Sequence, residues 1–538
     1  MIVQNPILTG FNPDPSIVRV GDDYYIATST FEWYPGVQIF HSRDLQNWQL
    51  ITRPLARAAQ LDMRGNPDSG GIWAPCLTHA DDLFWLVYTD IKRRDGSFKD
   101  GHNYLVTAPS IEGPWSDPVY LNSSGFDPSL FHDDDGRKWL LNMIWDHNFG
   151  PPGDRFRGIV MQEYSVAERK LVGPVHNIYR GTDQKFTEAA HIYKRDGWYY
   201  LLVAEGGTEY EHVATMARSR DLHGPYETDP AKHILTSKDA PEAMLQRAGH
   251  GDIVETQTGE FYMVHLCGRP LAGNRSPLGR ETAIQKLIWE KGAFPRLAHG
   301  GNVPADAVEA PQLPLAPVAP TPALTTFAPG PLPIDFQWLR TPYPERLFSL
   351  DARPGWLRLI GRESPGSIFE HSLVARRQTD FAYQAETEID FHPHDYQQFA
   401  GLVSWYNRCK FHYLAVTADE AGQRQLSIYS CPGIWPDPNI VMPLKAPIPL
   451  PKEGTIRLGA DVDHADLRFR YAVGDGPWQT IDVVLDQSAI SDETADGAGN
   501  NFTGAFIGMA ASDVSGRQTP ADFSWFAYEA VKPESDRR

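Results

Sequence analysis

The sequence contains few cysteines, only four among 538 residues, at positions 76, 267, 409 and 431. They lie far apart, without the close pairing of common metal-binding motifs, and they are too few to form a dense disulfide framework. The cysteine content therefore predicts a reduced protein in the cytoplasm.

Long hydrophobic runs are also missing. No apolar stretch approaches the roughly 18–20 residues that a membrane-spanning helix requires. The first ten residues lack a basic region followed by an apolar one, so we predict no secretory signal.

Positive charge is scarce relative to negative charge. The chain has 49 Lys and Arg residues against 68 Asp and Glu residues, which gives a formal net charge of −19. Phosphate backbones and anionic lipids repel such a surface, which argues against nucleic-acid and peripheral membrane binding. Neutral and cationic ligands remain open.

Glycine, proline and aromatic residues, in contrast, are abundant. There are 45 glycines and 44 prolines, and Phe, Trp and Tyr make up 12% of the chain. This mixture favours short strands, tight turns and surfaces on which sugars or rings stack. At roughly 150 residues per domain, the length predicts two or three domains.

A segment rich in proline and alanine, residues 302–333, divides the chain. It has neither helical nor strand periodicity, and its prolines favour an extended linker. We predict a first domain over residues 1–301 and a second over residues 334–538.

The first part contains an internal repeat. Each unit has a short apolar strand, a polar turn and an aromatic-rich strand, which together indicate a β-hairpin. The units begin at Asp14, Ala74, Asp127, Glu188 and His250, at spacings of 60, 53, 61 and 62 residues. Each unit has room for about four strands, so the repeat predicts a five-bladed β-propeller rather than a sandwich or meander with chance spacing.

The second part also has a β pattern. Stretches such as 381–393 and 397–419 alternate apolar and polar residues between turn signals. The default architecture is a β-sandwich, so the predicted fold class is all-β.

Three acids occupy equivalent repeat positions in the first part. Because the first strand of each propeller blade lines the central axis, we expect Asp14, Asp127 and Glu188 to converge. An isolated Asp-Pro pair is more simply explained as a turn cap. Three acids at equivalent positions, beside His250 and Trp73, instead favour a shared site.

Converging carboxylates suit glycoside hydrolysis. One protonated carboxyl donates to the leaving oxygen, while an ionised carboxylate acts as base or nucleophile. Crowding raises the pKa of one carboxyl, so both forms coexist near pH 6. A third acid can keep the pKa of the donor raised and orient it.

The sequence resembles glycoside hydrolase family 43, and within it the two-domain β-xylosidases. The matching stretches include GGIWAP (70–75), GFDPSLFHDDDGRKWLLNM (125–143), GHGDIVET (249–256) and FTGAFIGM (502–509). The resemblance implies a five-bladed propeller followed by a concanavalin-like sandwich, and inversion at the anomeric carbon. It implies that Asp14 is the general base, Glu188 the general acid, and Asp127 the residue that tunes the pKa of Glu188 and orients it.

The resemblance also implies substrate-binding residues in both domains. Trp73 and Trp145 would pack against sugar rings, and Arg280 would hydrogen-bond sugar hydroxyls. Phe31 would form a pocket wall and His250 would lie in the channel, where it orders water, joins the carboxyl network or reaches a divalent cation. Phe502 would reach over the pocket and restrict cleavage to chain ends. For each of these residues, an ordinary core or surface role is the alternative.

Asp335 and Asp522 match positions where related sandwiches hold a structural calcium. Two acids are weak support, because Ca²⁺ takes 6–8 oxygen ligands. No cofactor is expected for the chemistry itself.

The sequence therefore predicts an exo-acting, inverting hydrolase that releases xylose from β-1,4-xylooligosaccharides. α-L-Arabinofuranosidase activity, alone or combined with xylosidase activity, is the close alternative. A non-catalytic carbohydrate-binding propeller is the distant one. The resemblance further implies a homo-oligomer, either a tetramer or a dimer.

Overall fold

The structure is a computed structural model that describes residues 1–433, 439–494 and 501–531. The chain forms two compact units. The first comprises Met1–Leu61, Gly70–Arg269 and Arg280–Val318, and the second comprises Asp62–Ser69, Pro270–Gly279 and Ala319–Arg538. Two short segments from within the predicted first domain, residues 1–301, thus belong to the second unit.

The first unit consists of β-strands joined by turns. Its strands are β1 (Ile2–Gln4), β2 (Ser16–Val20), β3 (Asp23–Thr28), β4 (Trp33–Tyr34), β5 (Gln38–Ser42), β6 (Gln49–Thr52), β7 (Gly71–Ala80), β8 (Leu83–Arg93), β9 (Asp100–Ala108), β10 (Val119–Asn122), β11 (Ser129–His132), β12 (Lys138–Trp145), β13 (Phe156–Ser165), β14 (Lys170–Tyr179), β15 (Glu188–Arg195), β16 (Trp198–Glu205), β17 (Val213–Ser219), β18 (Glu227–Thr236), β19 (Gln246–Glu255), β20 (Phe261–Gly268), β21 (Glu281–Ile288), β22 (Arg296–Leu297) and β23 (Ala307–Glu309).

Twenty of these strands form five antiparallel sheets of four within the described part of the unit. The sheets are β2-β3-β5-β6, β7-β8-β9-β10, β11-β12-β13-β14, β15-β16-β17-β18 and β19-β20-β21-β22, called blades 1 to 5. The first strand of each blade contacts the first strand of the next, and β19 of blade 5 contacts β2 of blade 1. This closed ring confirms the predicted five-bladed propeller.

The hairpins follow the turn chemistry of the repeat. Asp81 and Asp82 both adopt positive φ between β7 and β8, as do Asp196 and Gly197 between β15 and β16. Asp and Gly tolerate this left-handed conformation, which matches the twist of a two-residue hairpin. Local sequence thus sets the register that brings each blade start to the axis.

The proline-rich segment contributes a strand to each unit. Within the first unit, β23 pairs with β1, and the Ala310 amide donates to the Met1 carbonyl. In the second unit, Leu324–Thr326 pairs with the last strand, Pro520–Ala530. Residues 302–333 are therefore anchored at both ends by backbone hydrogen bonds.

The second unit is a sandwich. Its strands are β24 (Leu324–Thr326), β25 (Trp338–Leu339), β26 (Phe348–Ser349), β27 (Leu357–Ile360), β28 (Ser372–Arg377), β29 (Ala382–Phe391), β30 (Gln398–Asn407), β31 (Lys410–Ala418), β32 (Arg424–Pro432), β33 (Ile448–Pro449), β34 (Ile456–Asp463), β35 (Asp466–Val473), β36 (Gln479–Thr480), β37 (Leu485–Asp486), β38 (Phe506–Asp513) and β39 (Pro520–Ala530).

Among the described residues, all of these strands except β25 form two large sheets. One has the order β26-β27-β39-β29-β34-β35-β36, with β24 on β39 and β37 on β35, and the other the order β28-β38-β30-β31-β32-β33. Along β29, Tyr383, Ala385, Thr387, Ile389 and Phe391 are buried, while the side chains that alternate with them are more exposed. This period of two buries one face of the sheet against the other sheet.

Helix is nearly absent from the described ranges. The helical segments there are four 3-10 turns, Pro152–Arg155, Pro344–Arg346, Gln487–Ala489 and Asp492–Thr494. None of the described helices is long and apolar enough to cross a membrane. The predicted all-β class is therefore confirmed.

Candidate active site

The start of every blade has an unusual backbone conformation. Asp14, Ala74, Asp127, Ala189 and His250 all adopt positive φ, between 36° and 56°. Residues other than glycine rarely adopt this conformation, and it tends to occur at functional sites. Four of the five repeat positions identified from the sequence thus share one backbone conformation, and in blade 4 it occurs at Ala189, one residue after the predicted start Glu188.

Asp14 has a polar partner at each carboxylate oxygen. Its Oδ1 accepts a hydrogen bond from Nη1 of Arg280 at 2.8 Å, and its Oδ2 accepts one from the hydroxyl of Ser29 at 2.6 Å. Nδ1 of His250 lies 3.6 Å from Oδ1. The carboxylate is therefore held in one orientation by groups from blades 1 and 5.

These partners keep Asp14 ionised. Burial by itself would raise the pKa of Asp14, but Arg280, His250 and the Ser29 hydroxyl outweigh it and lower the pKa below its ordinary value. Burial in turn lowers the pKa of His250 to about 4, against the charge of Asp14. Because His250 is uncharged at neutral pH, it is Arg280 and Ser29 that stabilise the ionised carboxylate of Asp14 at that pH.

The other two acids, Asp127 and Glu188, have raised rather than lowered pKa values. Burial raises the pKa of Asp127 well above its ordinary value, and the charges of Glu188 and Asp14 raise it further. Burial also raises the pKa of Glu188, with Asp14 adding to the effect while Arg280 and Lys99 oppose it. One carboxylate is thus ionised while its neighbours retain protons, which is the pairing that acid–base chemistry requires.

Aromatic rings form a continuous wall beside the acids. The rings of Phe31 and Trp73 lie 5.8 Å apart between centroids, and Trp73 meets Phe126 edge-on at 5.4 Å. Phe126 lies 6.4 Å from Trp145, whose indole N–H donates to the Ser97 carbonyl. The structure thus brings Phe31, Trp73 and Trp145 together, and an aromatic face of this kind suits the C–H bonds of a sugar ring.

Lys99 places a cation in this wall. Its Nζ lies 5.5 Å from the ring centroid of Trp73, 5.8 Å from that of Phe126 and 4.8 Å from that of Trp145. Burial lowers the pKa of Lys99 to about 8, although the charge of Glu188 opposes this shift. Lys99 is thus electrostatically coupled to the acid that keeps its proton.

A second histidine lies behind His250. The Nδ1 atom of His212 is 3.0 Å from the Arg247 carbonyl, and its ring packs against Gly249. A Cβ added to Gly249 would lie 2.6 Å from that ring, so glycine is required immediately before His250.

Next to the three carboxyls of Asp14, Asp127 and Glu188, called the carboxyl ring, the inner strands hold a second group of polar side chains around Asp252. Asp252 accepts hydrogen bonds from the hydroxyls of Ser16 and Tyr193, and Nδ1 of His191 lies 3.7 Å from it. Although burial opposes it, the charge of Asp252 raises the pKa of His191 to about 9. This layer joins the inner strands of blades 1, 4 and 5.

The remaining predicted site residues lie in the second unit. Phe502 is half-buried, and its amide donates to the hydroxyl of Ser69 at 3.1 Å. Positions 499 and 500 of the same predicted loop lie outside the described residues. The pocket role of Phe502 stays a prediction.

The contacts of Asp522 do not fit a calcium ligand. Its Oδ1 accepts from Nε of Arg358, and its Oδ2 accepts from Arg353 and Arg358. Two guanidinium groups would repel a divalent cation, and among the described residues no group of three or more His, Cys, Asp or Glu side chains could hold a metal. These contacts argue against a calcium ion at Asp522, and the calcium role of Asp335 stays a prediction.

Several site residues were missed in the sequence. Phe126 precedes Asp127 as Trp73 precedes Ala74, so its repeat position could have identified it. Ser29, Lys99 and His212 lie outside the repeat starts, and nothing in their local sequence indicates a site.

Comparison with known proteins agrees with this geometry. Residues 3–295 match the model described as glycosyl hydrolases family 43. Residues 325–529 match the model described as the beta xylosidase C-terminal concanavalin A-like domain.

Similar proteins match over nearly the whole chain. Xylosidase/arabinosidase 43B of Humicola insolens is 56% identical over 99% of both chains. Beta-xylosidase of Bacillus subtilis (strain 168) is 48% identical over 98% of this chain and 100% of its own. The crystal structure of xylan beta-1,4-xylosidase from Bacillus halodurans C-125 is 54% identical, with a TM-score of 0.95 over 98% of this chain and 100% of the other.

Proposed function

The chain belongs to glycosyl hydrolase family 43, and from this membership we propose an exo-acting, inverting β-xylosidase that releases xylose from the non-reducing end of β-1,4-xylooligosaccharides. The observation that carries the assignment is the opposite pKa shift of Asp14 and Glu188 within one ring of buried carboxyls. Inversion in one step requires an ionised base and a protonated acid at the same time.

Asp14 would act as the general base. Its lowered pKa keeps it ionised, and the hydrogen bonds from Arg280 and Ser29 fix the carboxylate. In that state it accepts a proton from water as the water oxygen attacks the anomeric carbon.

Glu188 would act as the general acid. Its raised pKa keeps the carboxyl protonated near neutral pH, so it can deliver that proton to the glycosidic oxygen as the C–O bond breaks. Together the two steps add one water molecule across the bond and release two sugars.

Asp127 would orient Glu188. Its pKa is raised well above the ordinary value, so it is a neutral hydrogen-bonding group when Asp14 is ionised. The charge that raises the pKa of Glu188 comes from Asp14. Asp127 can therefore raise the pKa of Glu188 through its charge only when Asp127 itself is ionised.

Substrate binding would use the aromatic wall and the buried cation of Arg280. Trp73 and Phe31 would contact the reacting sugar, Trp145 the leaving sugar, and Arg280 the sugar hydroxyls as well as Asp14. The similarity to a xylosidase/arabinosidase supports α-L-arabinofuranosidase activity as the second candidate.

An NMR time course of xylobiose hydrolysis tests the proposed function. We expect α-xylose to appear first and then mutarotate, since inversion of a β-linkage gives the α-anomer. Initial release of β-xylose would contradict inversion. Faster cleavage of nitrophenyl α-L-arabinofuranoside than of nitrophenyl β-xyloside would replace the xylosidase assignment.

Replacing Lys99 should change the pH profile. The cation lowers the pKa of Glu188, so Lys99→Met should raise that pKa and move the alkaline limb of kcat/KM to higher pH. The sign follows because the acid must be protonated to act. Lys99→Arg, which keeps the charge, should leave the limb nearer its original position. An alkaline limb that is unchanged in Lys99→Met would contradict the coupling.

The proposal also includes the oligomeric state and the cellular location of the protein. Resemblance to two-domain β-xylosidases supports a homo-oligomer, a tetramer or dimer, and sedimentation at the monomer mass of 60.3 kDa would contradict it. All four cysteines are buried free thiols, which fits a reducing cytoplasm.

A further inference from the structure

The segment that leads into Glu188 has an unfavourable backbone conformation. Lys185, Phe186 and Ala189, which flank Glu188, have φ angles of 61°, 53° and 52°. Residues with a Cβ disfavour this left-handed region, so such a segment keeps its shape only where surrounding contacts hold it. Strand pairing gives incomplete support, because the register of β15 on β16 shifts between Glu188 and His191.

A buried carboxylate binds this segment. Glu205 ends β16 and is fully buried. Its Oε1 accepts hydrogen bonds from the Thr182 amide at 2.7 Å and from the Thr187 hydroxyl at 3.0 Å, and its Oε2 accepts one from the Thr182 hydroxyl at 2.8 Å. One side chain thus joins the two ends of residues 182–187, and Thr187 directly precedes Glu188.

The chain is packed closely around this carboxylate. Gly181 has a φ of 81°, and a Cβ at that position would lie 1.8 Å from the Thr187 hydroxyl and 3.0 Å from Oε1 of Glu205. The Gly206 amide donates to the Lys185 carbonyl at 2.8 Å. Two consecutive residues, Glu205 and Gly206, therefore hold the segment through a side chain and through the backbone.

The position of this segment matters for proton transfer. Glu205 itself is buried and binds Thr182 and Thr187, so it has no contact with a substrate. A general acid must lie within hydrogen-bond reach of the atom that it protonates. A displacement of about 1 Å at a catalytic group can lower the rate about 10²-fold. Contacts that fix the residue before Glu188 therefore affect how well Glu188 reaches the glycosidic oxygen.

We propose that Glu205 is a positioning residue for the general acid, and that it holds Glu188 against the leaving oxygen through Thr182 and Thr187. The proposal rests on the proposed function, in which Glu188 is the acid. Because it concerns only the group that protonates the leaving sugar, loss of Glu205 should affect substrates according to their leaving groups.

The test compares kcat/KM for nitrophenyl β-xyloside and xylobiose in purified full-length variants. Thr187→Val removes one hydroxyl donor and keeps the β-branched shape, while Glu205→Ala removes the carboxylate. Xylobiose needs the proton of Glu188 and nitrophenolate does not. We expect the ratio of nitrophenyl xyloside to xylobiose to rise roughly three- to tenfold in Thr187→Val and roughly 10- to 100-fold in Glu205→Ala.

Matched variants separate positioning from stability. Thr187→Ser keeps the hydroxyl, and Glu205→Gln keeps an oxygen that accepts from the Thr182 amide, so both should stay near the wild-type ratio. Asp229→Ala removes another buried carboxylate of blade 4, one that binds Arg296. It should leave the ratio unchanged even where it lowers the melting temperature.

The outcomes distinguish this proposal from the proposed function. Equal losses on both substrates in Thr187→Val and Glu205→Ala, with the ratio unchanged, would overturn the positioning role while the acid assignment stands. If Glu188→Gln lowers both substrates equally, the acid assignment and the positioning role are both wrong. A raised ratio in Thr187→Val that is absent in Thr187→Ser supports the proposal, and this pair decides the question if Glu205→Ala does not fold.

Discussion

Glu188→Gln should lower kcat for xylobiose by roughly 10²–10⁴-fold, the usual contribution of a general acid. Glutamine keeps the shape of the side chain but cannot protonate the leaving sugar. The kcat for nitrophenyl β-xyloside should fall far less, because nitrophenolate departs as a stable anion without a proton. The two losses are measured side by side as steady-state kcat on the purified variant.

The difference between substrates is the diagnostic feature. Equal losses on xylobiose and nitrophenyl xyloside would contradict the acid assignment and indicate a role in binding or folding. Glu112→Gln is a matched control, since Glu112 is an exposed carboxylate of the same unit. It should change neither rate.

Asp14→Asn should reduce turnover of both substrates, again by roughly 10²–10⁴-fold. Activation of water does not depend on the leaving group, so the good leaving group of nitrophenyl xyloside should not restore the rate. The change also leaves Arg280 without its anionic partner in a buried position, which adds to the loss. Asp22→Asn, an exposed acid in the same blade, is the control.

A small nucleophile provides an independent check on Asp14. Asp14→Gly should be tolerated by the backbone, because the native φ of 56° is one that glycine adopts readily. Azide, which needs no base, should then attack nitrophenyl β-xyloside from the vacated side and give α-xylosyl azide with release of nitrophenolate. Formation of the β-azide would contradict the placement of the base opposite the leaving group.

The pH profile should follow the same division of roles. The acid limb of kcat/KM follows Asp14, whose pKa is lowered, and the alkaline limb follows Glu188, whose pKa is raised. The charge of Asp14 contributes to the raised pKa of Glu188. The residual activity of Asp14→Asn should therefore have its alkaline limb at lower pH than the wild type.

Much of the fold could be predicted because its signals are local. Hairpin turns such as Asp81-Asp82 and Asp196-Gly197 depend on the φ preferences of those residues alone. Five repeats of one hairpin at similar spacing then favoured a closed ring, because each four-stranded unit has to bury its two faces against the neighbouring units. The alternation along Ala382–Phe391 likewise predicted a sheet with one buried face.

The carboxyl ring could be predicted for the same reason. Asp14 and Asp127 occupy equivalent positions in equivalent units, and Glu188 lies one residue before the corresponding position in blade 4, so their convergence follows from the fold. Lys99 and Ser29 have no such equivalence and reach the site only through the paths of their loops. Asp522 was predicted as a calcium ligand, yet two arginines distant in sequence bind it instead.

The sequence by itself therefore determined the kind of molecule, an all-β propeller and sandwich with three acids at the blade starts. Only the tertiary structure decided which acid is ionised. Protonation depends on burial and on distances between charges, and the decisive partner of Asp14 is Arg280, which is 266 residues away in sequence. Composition and local pattern carry no information about such a distance, whereas closure of the ring brings the two groups to 2.8 Å.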